Sequence, residues 1–490
     1  MIAAIARPPI DWFAFSPELV LLGVAGLCMM VAVLVPEAAR RAVAATLSFG
    51  GFVGAFVLAA VLYDRSGGES VIAGAIRRDR YAALAAIIVA GAGAIAVLVS
   101  YNERTKGHIA EYYVLLCAAG AGMIFLAAAN NLMTLFLGLE WFSISLYILC
   151  AIDRDRERSL EAGLKYLIVG GFGSAVLLFG SALVYGATGQ LQFQKIAAAT
   201  AAGGLRHDTI LILGLAMIIA GLGFKASAAP FHQWTPDVYE GAPTSVTAFM
   251  SAATKVAALM LTLRILVTAF PQEAHLWTVA VAVLACASLA IGNLAALVQK
   301  NVKRLLAYSS ISHAGFMLIA VAANNALGGR ALLYYLIPYA AMSLGAFAVV
   351  AARERELGRD VTLDNLAGMG WERPLLGAAM WTFMLGFAGL PPTGGFLGKF
   401  YVFSAAYDRG WLWLVIVGLA ATAVSLYYYL AVIRALYLRP SAELQFAAGG
   451  QPPRDLLLQI GVLACMAIAV GSFFGVQPLI DLARHAFSTL

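Results

Sequence analysis

Lys225 and His232 stand on either side of Pro230, at the end of an apolar run that is otherwise fit to span a bilayer. A charge in hydrocarbon costs roughly 3 kcal/mol or more, and an unpaired backbone amide costs several more. Such a segment persists only where protein or water surrounds it. Glu140, Lys165, Lys255, Arg264, Lys399 and His313 lie in similar apolar runs. A lysine taken out of water gives up its proton more readily, and a nearby carboxylate restores its hold. Moving the partner therefore loads or unloads the amine. A row of such lysines, with histidine and water between them, conducts protons. Sodium requires oxygen ligands along its path, and this row is mostly cationic, so protons are the preferred cargo.

Each position has a bland reading beside the chemical one. Glu140 is in the middle of its run, with no short path to water. Lys165 is one turn inside its run and either snorkels to the membrane edge or finds a partner. The short loop 152–159 makes the runs of Glu140 and Lys165 antiparallel neighbours, so the two are expected to meet and neutralise each other. Lys255 sits among small residues that leave room for a wet cavity. Lys399 follows a second break, Gly389 to Gly395, and reads as the counterpart of Lys225. Arg264 is expected to snorkel outward. His232 and His313 are either core histidines held by hydrogen bonds or members of the line.

These residues must be carried by membrane helices. The chain of 490 residues is 62% hydrophobic and only 12% charged, more apolar surface than a soluble core of this size requires. Apolar windows of membrane-spanning length recur from end to end, and helices satisfy their own backbone in lipid. The expectation is an all-α polytopic protein of about fourteen spans: 17–35, 43–63, 81–100, 111–129, 132–151, 161–185, 209–229, 243–268, 276–298, 304–323, 329–352, 375–407, 411–437 and 456–480. The seventh runs on through Pro230 and Pro236, and the twelfth is too long for one crossing. Both read as broken helices, which line ion paths in transporters.

The five cysteines stand singly in apolar runs, so metal or iron–sulfur ligation by this chain is not expected. The net charge of +6 comes from loop arginines and is read through orientation, not as a nucleic-acid signal. With the N-terminus outside, the inner loops hold most of the loop cations, including Arg40, Arg41, Arg104, Lys106, Arg154, Arg156, Arg158, Arg439 and Arg454. Both termini are then on the outer face. The 64–80 loop is the exception: its four arginines are partly matched by Asp64, Glu69 and Asp79. The segment ahead of Phe15 lacks a signal-peptide layout and is expected to remain.

An internal repeat is also legible. Leu164 to Ile168 aligns with Leu333 to Ile337, and Ser174 and Ser343 fall at the same offset. Five spans separate the two copies, and an odd number inverts the second relative to the membrane. The organisation expected is 1–110 with spans 1–3, 111–270 as the first inverted five-helix repeat, 271–440 as the second, and 441–490 with the last helix. Tyr334 occupies the place of Lys165 in the second copy, so that half lacks a matching lysine.

Taken together, Leu137 to Trp141, Leu164 to Tyr166, Gly223 to Lys255, Leu306 to Gly315 and Gly389 to Lys399 resemble the proton-translocating antiporter-like subunits of respiratory complex I. The resemblance covers most of the chain and is strongest from 111 to 402. It implies a fourteen-span inverted-repeat fold in the membrane arm of an NADH:quinone oxidoreductase of the bacterial inner membrane. Flavin mononucleotide and iron–sulfur clusters would be held by other subunits and no cofactor by this chain. Its partners would be the neighbouring antiporter-like subunits, lipid and protons. By position, the resemblance makes Glu140 and Lys165 a coupling pair and Lys225 the central carrier. His232 and Lys255 become the link across the middle, and Lys399 the exit. Glu111 matches an acidic position of the family at the membrane edge. Protons from the inner face would load Lys225 through Lys165, Glu140 would change partner when the neighbouring subunit changes state, and Lys255 would pass the charge to Lys399. Two other readings share these residues: a subunit of a multi-subunit cation/proton antiporter, and a non-transporting scaffold whose buried charges are structural.

Overall fold

Long apolar runs removed from water close their own hydrogen bonds as helices, and helices account for nearly all of the structure. The computed structural model describes residues 10–103, 108–438 and 455–490. Arg104, Lys106, Arg439 and Arg454 of the inner loops, and most of the segment ahead of Phe15, lie outside the described residues. In order, the first six helices are α1 (Ser16–Leu34), α2 (Glu37–Arg65), α3 (Arg80–Ser100), α4 (Ile109–Ala127), α5 (Leu132–Cys150) and α6 (Glu157–Thr188). Then come α7 (Phe193–Ala202), α8 (Thr209–Lys225), α9 (Trp234–Gly241), α10 (Thr244–Ala269), α11 (Ala274–Leu297), α12 (Val302–Ala323) and α13 (Ala326–Leu357). The last are α14 (Met369–Glu372), α15 (Pro374–Ala388), α16 (Gly394–Asp408), α17 (Leu412–Leu438), α18 (Leu456–Phe474) and α19 (Val476–Phe487).

Among the described residues 12 helices are long and apolar enough to cross a membrane. The expected seventh and twelfth spans are the two that are not continuous. The seventh stops at Lys225 and resumes as α9; the twelfth divides into α15 and α16 around Gly389 to Thr393. Three departures from the expected pattern are small. The 64–80 loop forms a hairpin of β1 (Glu69–Val71) and β2 (Ile76–Arg78), with Glu69 opposite Arg78. The short helix α7 precedes α8. The last span ends at Phe474, and α19 is a separate amphipathic helix, because Gly475 and Pro478 interrupt the apolar run.

The repeat is visible in backbone hydrogen bonds. Asn131 caps α5 and bridges to Gln192, while Asn301 caps α12 and bridges to Thr362. The Leu132 amide donates to the Leu191 carbonyl and Phe193 to Asn130; Val302 donates to Val361 and Leu363 to Lys300. Every residue number in the second set is higher by 170 than in the first. α6 and α13 are both 32 residues long and both end on a left-handed glycine, Gly189 and Gly358. At the centre stand α10, α12 and α13, whose apolar windows are 100%, 94% and 89% buried. Charges on these helices face protein rather than lipid.

Arg264 corrects the expectation that it snorkels outward. It is 1% exposed, and its guanidinium donates to both oxygens of Asp79 at 2.8 Å, over the ring of Tyr81. Asp79 also caps α3. The pair ties the far end of α10 to α3, and full burial makes pairing obligatory. Replacing Arg264 with Met should remove the bidentate partner of a buried carboxylate, leaving it Arg77 at 3.4 Å and its cap bond, and destabilise the protein by about 3 kcal/mol, measured as a lower melting temperature in detergent. The double change Arg264→Met with Asp79→Leu should recover only part of that loss, because Asp79 also caps α3 and pairs with Arg77.

Candidate functional site

A helix that stops inside a membrane leaves carbonyls without partners, and the site is built on how those groups are met. α8 ends on Lys225. Beyond it the Ser227 amide and the indole Nε1 of Trp234 both donate to the Phe224 carbonyl, and the Ala228 amide donates to Gly223. The Ala229 amide donates to Ser288 Oγ. The Ala226 carbonyl accepts from Lys255 Nζ at 2.8 Å, and the same ammonium donates to the Ser310 carbonyl at 2.9 Å. Lys255, on α10, thus joins the first break to α12.

Lys225 is 3% exposed. Its Nζ donates to Ser143 Oγ at 2.7 Å and to Tyr166 OH at 3.3 Å. Ser143 in turn donates to Leu139 one turn back on α5. The ammonium lies 4.5 Å from the centre of the Phe142 ring and 5.1 Å from that of Tyr166, so ring faces replace part of its hydration. Tyr166 stacks on Trp234 at 4.5 Å, fixing one wall of this chamber against α9.

The second break mirrors the logic with a different arrangement. Gly389 closes α15 in the left-handed conformation, and Lys399 Nζ reaches back from α16 to the carbonyls of Phe387 at 2.8 Å and Ala388 at 3.3 Å. It also sits 4.4 Å from the centre of the Phe316 ring. Lys225 belongs to the helix before its break and Lys399 to the helix after it. The two are counterparts in environment but not in register. Gly389 is required twice over: its φ is +81°, and a Cβ there would meet Lys399 Cδ at 2.8 Å.

Between Lys255 and Lys399 the structure places His313, 1% exposed on α12. Its Nδ1 is 2.7 Å from Tyr335 OH and its Nε2 is 3.1 Å from Tyr429 OH. Tyr429 bonds Ser309, and Tyr339 OH donates to Ser310 Oγ, on the residue whose carbonyl holds Lys255. Sequence reasoning left His313 open between two roles. The only signal was its apolar setting, since its tyrosine partners come from α13 and α17.

His232 is half-buried beside the first break, its Nδ1 enclosed and without a hydrogen-bond partner among the described residues. Glu111 is half exposed at the start of α4, 3.8 Å from His108. Tyr334, in the place of Lys165, donates to the Ser472 carbonyl.

The expected Glu140–Lys165 pair does not form. Lys165, with a side chain 43% exposed, is held by Glu161 at 2.7 Å, one turn away on its own helix, and by Asp237 of α9 at 3.0 Å. Asp237 and Glu240 share Arg304 at 2.7 and 3.0 Å. These residues line a polar cavity of about 230 Å³. Glu140 instead lies on the outward side of α5, between the half-exposed Leu137 and Ile144, with Oε1 buried and without a hydrogen-bond partner among the described residues. It stands three residues before Ser143, the α5 partner of Lys225. α5 and α6 are neighbours as expected, but the two residues face different ways.

The family model described as "NADH:quinone oxidoreductase/Mrp antiporter, TM" matches residues 129–425. NADH-quinone oxidoreductase subunit N of Trichlorobacter lovleyi is 42% identical over 87% of this chain and 88% of its own. Subunit N 2 of Roseiflexus castenholzii is 39% identical over 98% of this chain and 97% of its own. Among solved structures, a chain of respiratory complex I from Thermus thermophilus superposes with a TM-score of 0.80 at 32% identity, covering 96% of this chain and 99% of that one. A chain of the Mrp complex from Dietzia sp. shares the fold, with a TM-score of 0.83 at 22% identity over 97% of each chain.

Because Lys255 is the donor that meets the Ala226 carbonyl at the break, while the Ser310 carbonyl lies within α12 and keeps its helical partner, Lys255→Met should leave the Ala226 carbonyl unsatisfied, at a cost of roughly 1–3 kcal/mol. Lys165→Met, at a half-exposed site whose Asp237 keeps Arg304, should change stability little. Melting temperatures of the two variants in detergent check the difference.

Proposed function

The chain belongs to the NADH:quinone oxidoreductase/Mrp antiporter family, and from its likeness to NADH-quinone oxidoreductase subunit N we propose that it is a proton-translocating membrane-arm subunit of that oxidoreductase. The observation that carries this reading is the set of three buried lysines, Lys225, Lys255 and Lys399. Among the described residues each is held by carbonyl or hydroxyl oxygens, and none is in ion-pair contact with a carboxylate. A scaffold would neutralise such charges directly, as Arg264 and Asp79 do. Cations held only by dipoles keep the freedom to change charge.

In this reading Lys165, in its polar cavity with Glu161 and Asp237, admits protons from the inner side and loads Lys225. Lys225 passes the charge to Lys255 at the shared break, where His232 stands by, and His313 with its tyrosines extends the line to Lys399. Glu140 faces the neighbouring subunit and modulates Lys225 through the interior, in place of a direct pairing with Lys165. Electron transfer from NADH to quinone takes place in other subunits, so this chain needs no redox group. The segments 111–270 and 271–440 act as two half-channels flanked by 1–110 and 441–490. The setting is a bacterial plasma membrane, with both termini on the outer face, beside other antiporter-like subunits.

Inverted membrane vesicles carrying Lys225→Ala should lose NADH-driven proton pumping while keeping NADH oxidation with an artificial acceptor, which reports assembly of the soluble arm. Glu140→Gln should give the same separation, by weakening coupling rather than removing a carrier. Normal pumping in Lys225→Ala would take that lysine out of the path.

A further inference from the structure

Away from the proton line, α3, α13, α18 and α19 enclose a groove of about 360 Å³. Its lining is apolar apart from Ser472, whose hydroxyl is spent on the Ala469 carbonyl of its own helix. On α3 the lining residues Leu84, Ile88, Gly91 and Ile95 recur at helical spacing along one stripe. That stripe is about 16 Å long at 1.5 Å per residue, close to one leaflet of a hydrocarbon core about 30 Å thick. A neighbouring protein helix would need a groove twice as deep.

The stripe continues one turn toward the N-terminal face to Arg80. Arg80 Nε donates to the Tyr63 carbonyl, and its guanidinium lies over the Tyr63 ring. Tyr63 OH donates to the carbonyl of Leu482, which roofs the groove together with Leu479 of the amphipathic α19. The adjacent Arg77 is paired with Asp79, and Arg78 with Asp11 and Glu69. Among the described residues no carboxylate lies within ion-pair distance of Arg80. A cation therefore stands at head-group level over an apolar slot one leaflet deep.

We propose that this groove binds an anionic phospholipid, with an acyl chain along Leu84 to Ile95 and its phosphate on Arg80. Arginine suits phosphate because its planar fork donates two parallel hydrogen bonds. The lipid has a further consequence. The groove wall on α13 includes Ile337 and Ala341, beside Pro338, which removes one bond from the helix ladder. Tyr335 and Tyr339 of the same turns hold His313 and Ser310. An acyl chain in the groove braces the stretch of α13 that positions the middle of the proton line.

The test uses the intact complex in nanodiscs containing phosphatidylglycerol with a photoreactive acyl chain, followed by peptide mapping of the cross-links. Labelling should concentrate on peptides spanning 84–95 and 337–344, and unlabelled phosphatidylglycerol should compete better than phosphatidylcholine. Arg80→Gln, a change at the rim, should abolish that preference. Gly91→Phe, where an added Cβ meets nothing closer than Phe56 at 3.7 Å, should fill the slot and remove the labelling. Absence of labelling in the wild-type complex, capture of another subunit on this face, or a phosphatidylglycerol preference that survives Arg80→Gln would each overturn the proposal.

Discussion

A helix broken inside a membrane and a lysine buried beside it are each intolerable alone, and this structure makes each the remedy for the other. The carbonyls left at a helix C-terminus form the negative end of its dipole. Lys255 meets Ala226 at the first break, and Lys399 meets Phe387 and Ala388 at the second. These oxygens stabilise an ammonium without fixing it as a carboxylate would. Remove the breaks and Lys255 and Lys399 lose these acceptors; remove the two lysines and the carbonyls at the breaks are stranded. The glycines, prolines and small residues around both breaks follow from this mutual dependence.

The rest of the fold encloses that arrangement. α10, α12 and α13 carry Lys255 and His313 and their partners in the most enclosed part of the molecule, while Arg264 and Asp79 lock α10 to α3 with a buried bidentate pair. This carboxylate-held pair contrasts with Lys255 and Lys399, which are held by carbonyl oxygens, and the proposed function rests on that contrast. His313 has an aromatic hydroxyl on each of its nitrogens, the contacts on which its place in the proposed line rests.

Much of this was legible in the sequence because it rests on local chemistry. Pro230 and the Gly389 to Gly395 stretch announce breaks, and Lys225, Lys255 and Lys399 stand out against apolar runs. The match of Leu164 to Ile168 with Leu333 to Ile337 reflects a repeat that the backbone bridges at Asn131 and Asn301 display more fully. What was not legible depends on rotation about helix axes and on distant partners. A short loop made α5 and α6 neighbours, yet it does not say that Glu140 turns outward while Lys165 turns to Asp237. The partner of Arg264, Asp79, lies 185 residues away, and those of His313, Tyr335 and Tyr429, belong to other helices, so no local pattern announces either contact.

The central claim is that Lys255 and Lys399 are joined through His313 into one conducting line. The most direct measurement is NADH-driven proton pumping in vesicles carrying His313→Phe, a change that keeps a ring in the aromatic pocket but removes both nitrogens. Loss of a positioned proton carrier slows transfer by roughly 100-fold or more, so pumping should collapse while oxidation of NADH by an artificial acceptor stays normal. Pumping at the wild-type rate in that variant would contradict the account and leave His313 as packing between two unconnected lysines.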